Sequence, residues 1–247
     1  MRLGVMQAYF FPYIGYFQVI DAVDKFLIYE HVTFRKQSWI NRNRLMNRSS
    51  GEAFFINVPL RKASSNKRIG EIEIDYTSHW QRYLKNSIRI NYGKAPYFRE
   101  VFPVIERCLS RECKQLHEFN ALSTMEISAL LGIETEIVYD NACYLGLEDK
   151  LRDIREDAEY LAKEERVISI CQTEGAGTYI NPSGGVELYD KEKFKRRGIE
   201  LYFTQPGTLA PYRQFKHEFL PSLSIVDHLM HCGVEETKKY LKNYSLL

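Results

Sequence analysis

His217 and Asp227 are the residue types in this chain best suited to acid–base chemistry. An imidazole titrates near neutral pH, and a carboxylate beside it fixes its orientation. Together they would take the proton from an attacking amine or hydroxyl. A lone histidine is more often structural, so this role depends on the two meeting in space. His228 and His231 fall on one side of a helix but lack a third ligand and an H-E-x-x-H context, so no metal site is signalled. No G-x-S-x-G nucleophile elbow occurs. The five cysteines, Cys108, Cys113, Cys143, Cys171 and Cys232, are scattered without C-x-x-C spacing. They read as reduced thiols, neither a zinc set nor a disulfide framework.

Ligand-holding material is concentrated in three segments. In the first, Gln7 to Phe17 (QAYFFPYIGYF), Tyr9, Phe10, Tyr13 and Tyr16 offer aromatic faces for a nucleobase or sugar ring. Gly15 lets a ligand approach the backbone, and Pro12 leads into a helix whose free N–H groups suit phosphate. The same aromatics also suit a plug of the core. In the second, Asn41 and Asn43 alternate with Arg42 and Arg44, whose guanidinium groups present paired donors for phosphate or carboxylate. The third, Gln172 to Gly185 (QTEGAGTYINPSGG), joins Gly175, Gly184 and Gly185 to Thr178, Tyr179, Asn181 and Ser183. Such a loop is rich in exposed N–H and small polar groups, the material of an anion nest, and a single turn needs fewer glycines. It matches neither G-x-x-x-x-G-K-[ST] nor G-x-G-x-x-G, so no cofactor is named.

The elements that must position these segments alternate in type. Arg2–Met6 is a short apolar run of a buried strand, Pro12 opens a helix through Val23, and Lys25–Tyr29 is a second strand. Ala53–Leu60 and Ile69–Ile74 read as further strands. Helical spacing then fills residues 78–132 in three pieces, a layer or insertion without a linker of its own. Ile133–Tyr139 restores a strand, Leu147–Cys171 is helical, and Thr178–Asn181 is extended. Asp190–Arg197 is a helix stopped by Gly198, Ile199–Phe203 is a strand, and Ser224–His231 and Glu235–Tyr240 are terminal helices. The pattern predicts one α/β domain over residues 1–247, with a mostly parallel Rossmann-like sheet flanked by helices. Ligands bind such sheets at the carboxyl ends of strands, so the loops after Met6, Tyr29, Tyr139 and Ile180 should converge.

Bulk properties narrow the function. The net charge of +2, from 34 basic and 32 acidic residues, gives no reason to expect tight nucleic-acid binding. The run from Arg35 to Arg48 holds basic residues and no acid, which fits a small anion as well as a solvated loop. No stretch approaches the ~20 apolar residues of a membrane span, and no signal peptide is evident; a cytoplasmic protein is expected.

The opening MQAYFFPYIGYFQVIDAVDKFLIYEHV resembles that of WbqC-family proteins, with Ala8 where the family pattern carries proline. The similarity continues through WINRNR (Trp39–Arg44), KAPYF (Lys94–Phe98), GAGTYINPSGG (Gly175–Gly185) and PSLSIVDHL (Pro221–Leu229). The resemblance implies a bacterial protein of O-antigen or related surface-polysaccharide biosynthesis. The F-P-Y-I-G-Y turn is also similar to the H-I-G-H loop of nucleotidylyltransferases and class I aminoacyl-tRNA synthetases, which makes the HUP type the nearest fold analogy. Tyr13 and Tyr16 stand where the histidines would be. The leading expectation is a transferase acting on a nucleotide-linked amino sugar, moving a small acyl or aminoacyl group onto the sugar amine. The alternatives are a nucleotidyltransferase or ATP-dependent activating enzyme, and a non-enzymatic binding module of a glycan pathway.

Overall fold

The computed structural model describes residues 1–152, 159–207 and 211–247. β1 (Arg2–Met6) leads through an aromatic loop into α1 (Ile14–Ala22) and back to β2 (Lys25–Ile28). A polar ribbon follows, β3 (Arg42–Met46) antiparallel to β4 (Ala53–Asn57), then the short pair β5 (Leu60–Arg61) and β6 (Glu73–Ile74). Three helices come next, α2 (Trp80–Tyr92), α3 (Phe98–Ser110) and α4 (Leu116–Leu130). The remainder is β7 (Glu136–Val138), α5 (Leu145–Arg152), α6 (Glu159–Glu174), β8 (Thr178–Pro182), α7 (Lys191–Arg196), β9 (Glu200–Pro206), α8 (Ile225–Leu241) and β10 (Tyr244–Leu246).

The main sheet has six strands in the order β10-β9-β8-β1-β2-β7, all parallel except β10. Counting only these strands along the chain, the order is 3-2-1-4-5-6, that of doubly wound nucleotide-binding sheets. The expected α/β class is therefore the observed one. Its core strands are apolar runs because both faces are covered. On β2, Phe26 and Ile28 face a core shared with α1, the three middle helices and α8. The alternate residues Leu27 and Tyr29 face a second core with α6 and α7, where Tyr179, Phe194 and Phe203 also pack. The middle helices are amphipathic. On α2, Trp80, Leu84, Ile88 and Tyr92 recur every four residues and are buried.

Several local expectations change. Trp39–Arg44 reads as a loop in the sequence, yet its second half is strand β3. Asn43 and Leu45 turn inward while Arg42 and Arg44 face out, an alternation concealed because the inward residue at 43 is polar. The strand expected at Ala53–Leu60 breaks before Pro59, and Ile69–Glu71 is a 3-10 turn ahead of β6. Pro12 lies outside α1, which starts at Ile14. The two terminal helices stand as expected, end to end within α8 and separated at Gly233, whose φ of 75° and ψ of 177° are not helical. Of the helix expected over Leu147–Cys171, residues 153–158 lie outside the described residues. No described helix is long and apolar enough to cross a membrane.

Candidate functional site

The sheet order reverses between β1 and β8: from β1 the chain moves to β2 and β7 on one side, then returns to β8 and β9 on the other. A crevice at the carboxyl ends of strands on either side of such a point is where ligands bind in this architecture. The loop after β1 and the turn after β8 flank it.

The loop after β1 is held by its backbone. Asn43 Nδ2 donates to the carbonyls of Phe10 (2.9 Å) and Phe11 (2.7 Å). Asn120 Nδ2 donates to the Ala8 carbonyl (3.1 Å), and Ser224 Oγ donates to that of Phe11 (2.7 Å). Tyr16 Oη donates to the Gln7 carbonyl at 3.0 Å, and the Pro12 carbonyl accepts from Ile225 N at 2.9 Å. These anchors hold Phe11 at a φ of 40°, a left-handed conformation unusual for a bulky residue. Phe10, Phe11 and Tyr16 are fully buried and serve the core. Gln7 and Tyr9 are half-buried and Tyr13 is exposed. The Tyr13 phenol lies against Gly15, where a Cβ would collide with it, so the glycine gives the ring its place over the first helical turn. Burial raises the phenol pKa of Tyr9, and both Tyr9 and Tyr13, as phenols, are neutral hydrogen-bond donors at pH 7.

The ribbon β3 sits beside this loop, with Phe10 N donating to the Trp39 carbonyl at 2.9 Å. Arg42 stacks on Phe55, its guanidinium carbon 4.6 Å from the ring centre, and Arg44 lies 5.7 Å over Trp39. Arg44 also donates to the Ser222 carbonyl (3.1 Å), and Asn41 donates to that of Val58 (3.3 Å). Nε of both arginines is buried without a partner. Asn43, by contrast, is a structural anchor.

The glycine-rich segment is divided by β8. Gly175 closes α6 in a left-handed conformation (φ 67°), and Ala176 N returns to the Cys171 carbonyl at 2.8 Å, a helix stop. Gly175 and Thr178 thus belong to the amino end of β8. Tyr179 is buried, stacked on Phe194, with its hydroxyl donating to Asn181 Oδ1 at 2.9 Å. Ser183, Gly184 and Gly185 form the turn at the carboxyl end, beside the switch point. Ser183 is half-buried, Gly184 is exposed, and Gly185 is packed against Asn181. Cys171 lies in the second core, where burial pushes its thiol up to about 12.

His217 and Asp227 are not brought together. His217 Nε2 bonds the Arg48 carbonyl at 2.8 Å. Asp227 is fully buried and accepts from Tyr92 (2.6 Å), Tyr212 (2.7 Å) and Gln214 (2.7 Å). The histidine against it is His231, with Nε2 at 3.8 Å. Asp227 therefore orients a polar network around α8, and no bond joins it to His217.

An acid–base cluster outside the three expected segments lies at the carboxyl ends of β2 and β7. Asn141, fully buried, donates to Glu30 Oε2 at 2.6 Å and to the Ile28 carbonyl at 2.7 Å. His31 Nε2 is 2.6 Å from the Asn141 carbonyl and 3.6 Å from Glu30 Oε1. Burial is the main cause raising the Glu30 carboxyl pKa above its usual range, against the lowering effect of Asn141 and His31. His117 faces the same group; burial and His31 push it down to about 4, and its Nδ1 is buried without a partner. Tyr29, just before, donates to Glu148, which is paired with Arg166. A signal existed in the adjacent Glu30 and His31 directly after a parallel strand, the usual place for catalytic groups. Among the described residues no three His, Cys, Asp or Glu side chains are grouped to hold a metal ion.

Residues 7–239 match the model of the WbqC-like protein family, nearly the whole of the chain. The chain belongs to the WbqC-like protein family. An uncharacterized protein, Rv1507c of Mycobacterium tuberculosis (strain ATCC 25618 / H37Rv), is 27% identical over 236 residues, which cover 95% of each chain. No solved structure matches the chain significantly. The span shared with the WbqC-like family contains the loop after β1, the ribbon, the turn after β8 and the Glu30–His31–Asn141 group.

Chemically, this edge of the WbqC-like chain offers three things. Tyr9 and Tyr13 supply aromatic surface with phenol donors. Ser183 and Gly184 supply small polar groups in the turn after β8. His31 supplies a proton acceptor: a carbonyl only accepts, so Nε2 carries the hydrogen shared with Asn141, and in the neutral ring Nδ1 keeps the lone pair.

Proposed function

We propose that this protein is a transferase of bacterial surface-polysaccharide biosynthesis that acts on a nucleotide-linked amino sugar. Membership of the WbqC-like family supports the polysaccharide role. The observation that carries the substrate class is the strand order, which reverses at β1 and β8 with an aromatic loop on one side and a serine–glycine turn on the other. In this reading Tyr9 and Tyr13 hold the base and sugar rings, and Gln7 with the Ser183–Gly185 turn holds the ribose and diphosphate. Arg42 and Arg44 neutralise phosphate or an incoming carboxylate.

The reaction proposed is transfer of a small acyl or aminoacyl group from an activated ester or thioester donor to the sugar amine. The amine nitrogen attacks the donor carbonyl carbon, the carbon–leaving-group bond breaks, and the leaving group departs with its electron pair. The amine proton passes to His31 Nδ1, with Glu30 and Asn141 fixing the ring. His217 is set aside in this scheme because its ring is bonded to the Arg48 carbonyl.

A thermal-shift screen with UDP-, dTDP- and GDP-sugars, ATP with Mg²⁺, and acyl thioesters tests the reading. A ligand at a hundred times its dissociation constant stabilises by ~2.7 kcal/mol, which is readily detected. We expect a shift with one sugar nucleotide, reduced in Tyr13→Ala and in Ser183→Ala and retained in His31→Gln. A shift confined to ATP with Mg²⁺ would replace this reading with nucleotidyl transfer, and no shift with any probe would reject the substrate class.

A further inference from the structure

A second polar feature lies away from the sheet edge. A cavity of about 810 Å³ opens where four chain segments meet, and its walls include Arg48, Lys94, Arg213, Phe215, Lys216 and His231. Arg48 comes from the β3–β4 turn and Lys94 from the α2–α3 connection. Arg213, Phe215 and Lys216 come from the segment before α8, and His231 from α8 itself. Four cationic side chains therefore line one hollow, and no acidic side chain is among its described lining residues. A hollow lined by one sign of charge concentrates anions from solution.

The walls are built. Arg48 stacks over Phe215 at 5.9 Å, and the carbonyl of the same residue is fixed by His217 Nε2 at 2.8 Å. Arg213 Nε donates to the Phe215 carbonyl at 3.0 Å, and Phe215 is held at a φ of 55°. At the floor is His231, only 7% exposed, with neither ring nitrogen hydrogen-bonded. A buried imidazole with both nitrogens unpartnered is uncommon, because each nitrogen left without a hydrogen bond costs free energy. Its ring is fixed edge-on to Phe215 at 4.6 Å and to Tyr92 at 5.8 Å. Behind it, the fully buried Asp227 carboxylate stands 3.8 Å from Nε2 and is satisfied by Tyr92, Tyr212 and Gln214.

We propose that this cavity binds a phosphate-bearing small molecule, with Arg48, Lys94, Arg213 and Lys216 neutralising its charge and the His231 ring forming part of the wall against it. The site does not depend on the crevice beside β1 and β8.

Calorimetric titration of the full chain with inorganic pyrophosphate tests it, with the His231 ring followed by NMR. Saturable binding and a shift of the His231 ring signals are expected. Lys94→Gln/Lys216→Gln, two exposed positions that carry no packing, should weaken binding at least tenfold, and Arg48→Gln should weaken it further. Lys195→Gln/Arg196→Gln on α7 removes the same charge elsewhere and should leave affinity unchanged. A parallel titration with UDP, read at the His231 ring signals so that binding in the crevice does not contribute, separates the two sources of the phosphate: tighter binding than pyrophosphate assigns the site to a nucleotide, equal or weaker binding to another phosphate ester. The proposal is overturned if pyrophosphate fails to bind, if the His231 signals stay unmoved, or if the lysine pair and the α7 pair behave alike.

Discussion

Asn43 shows how a residue type can be read correctly and its role misplaced. In the sequence it stands between two arginines and looks like part of an anion clamp. In the fold its amide points inward, 4% exposed, and holds two carbonyls of the loop after β1. Removing a buried donor leaves its acceptors desolvated and unpaired, at about 1–3 kcal/mol per group. Asn43→Ala should therefore lower unfolding stability by ~2–4 kcal/mol in urea titration; a loss under ~0.5 kcal/mol would refute the anchoring role. Arg42 and Arg44 were legible as outward-facing cations, and Tyr13 as an available ring. The burial of Phe10, Tyr16 and Tyr179 was not legible, because aromatic residues serve a core and a ligand equally well on composition alone. The partner of Asp227 was legible and passed over: within the helix read over Ser224–His231, His231 stands four residues on and so on the same face, whereas His217 lies outside that helix.

At the scale of elements, the long apolar strands and the capped helices were legible, as was β4 within Ala53–Leu60, and its partner β3, which opens on Arg42-Asn43-Arg44, was not. Asp190 was recognisable as the start of α7 and Gly198 as its stop; the Asp190 side chain does accept from Glu192 N at 2.9 Å. β10 escaped because only Tyr244 and Leu246 mark it. Gly233 was visible as the gap between two helical stretches, and the structure explains the gap. Its φ of 75° is reached cheaply only without a side chain, and a Cβ there would press into the Tyr97 ring. Tyr97 N in turn donates to the Met230 carbonyl at 3.2 Å, one turn before the break. Gly233→Ala should cost ~1–3 kcal/mol through strain and the displaced ring, read as a lower urea midpoint. An unchanged midpoint would mean that α8 runs through this position without a break.

At the scale of the molecule, the α/β class and the parallel sheet followed from the alternation of elements, and the convergence of loops followed from the class. What did not follow was the pairing of side chains drawn from distant segments, such as Glu30 with Asn141. A pH dependence belongs to this scale. Burial is the first cause that pushes His117 and His228 down to about 4, from a usual value of 6.5. Between those values the unfolded chain binds protons that the folded chain refuses, so stability is full above pH 6.5 and is lost as pH falls toward 4. The loss is up to ~3 kcal/mol for each group. Glu30, raised by burial, acts in the opposite sense as pH rises above 4.5. Urea unfolding from pH 7.5 to 5 should show falling stability, with a shallower slope in His228→Gln. An identical slope in the variant would exclude His228 as a source.

β10 pairs antiparallel with β9, Leu246 opposite Thr204, while Leu247 and Phe203 exchange two backbone hydrogen bonds at 3.0 and 3.1 Å. β9 is the longest strand of the sheet, and without that cover its row of unpaired N–H and C=O groups would be a template for another chain. At the opposite margin β7 has only three residues, too short to recruit a partner readily. The sheet is thus blunted at both sides, by a cap on one and by brevity on the other, and its carboxyl edge is left as the face open to a ligand.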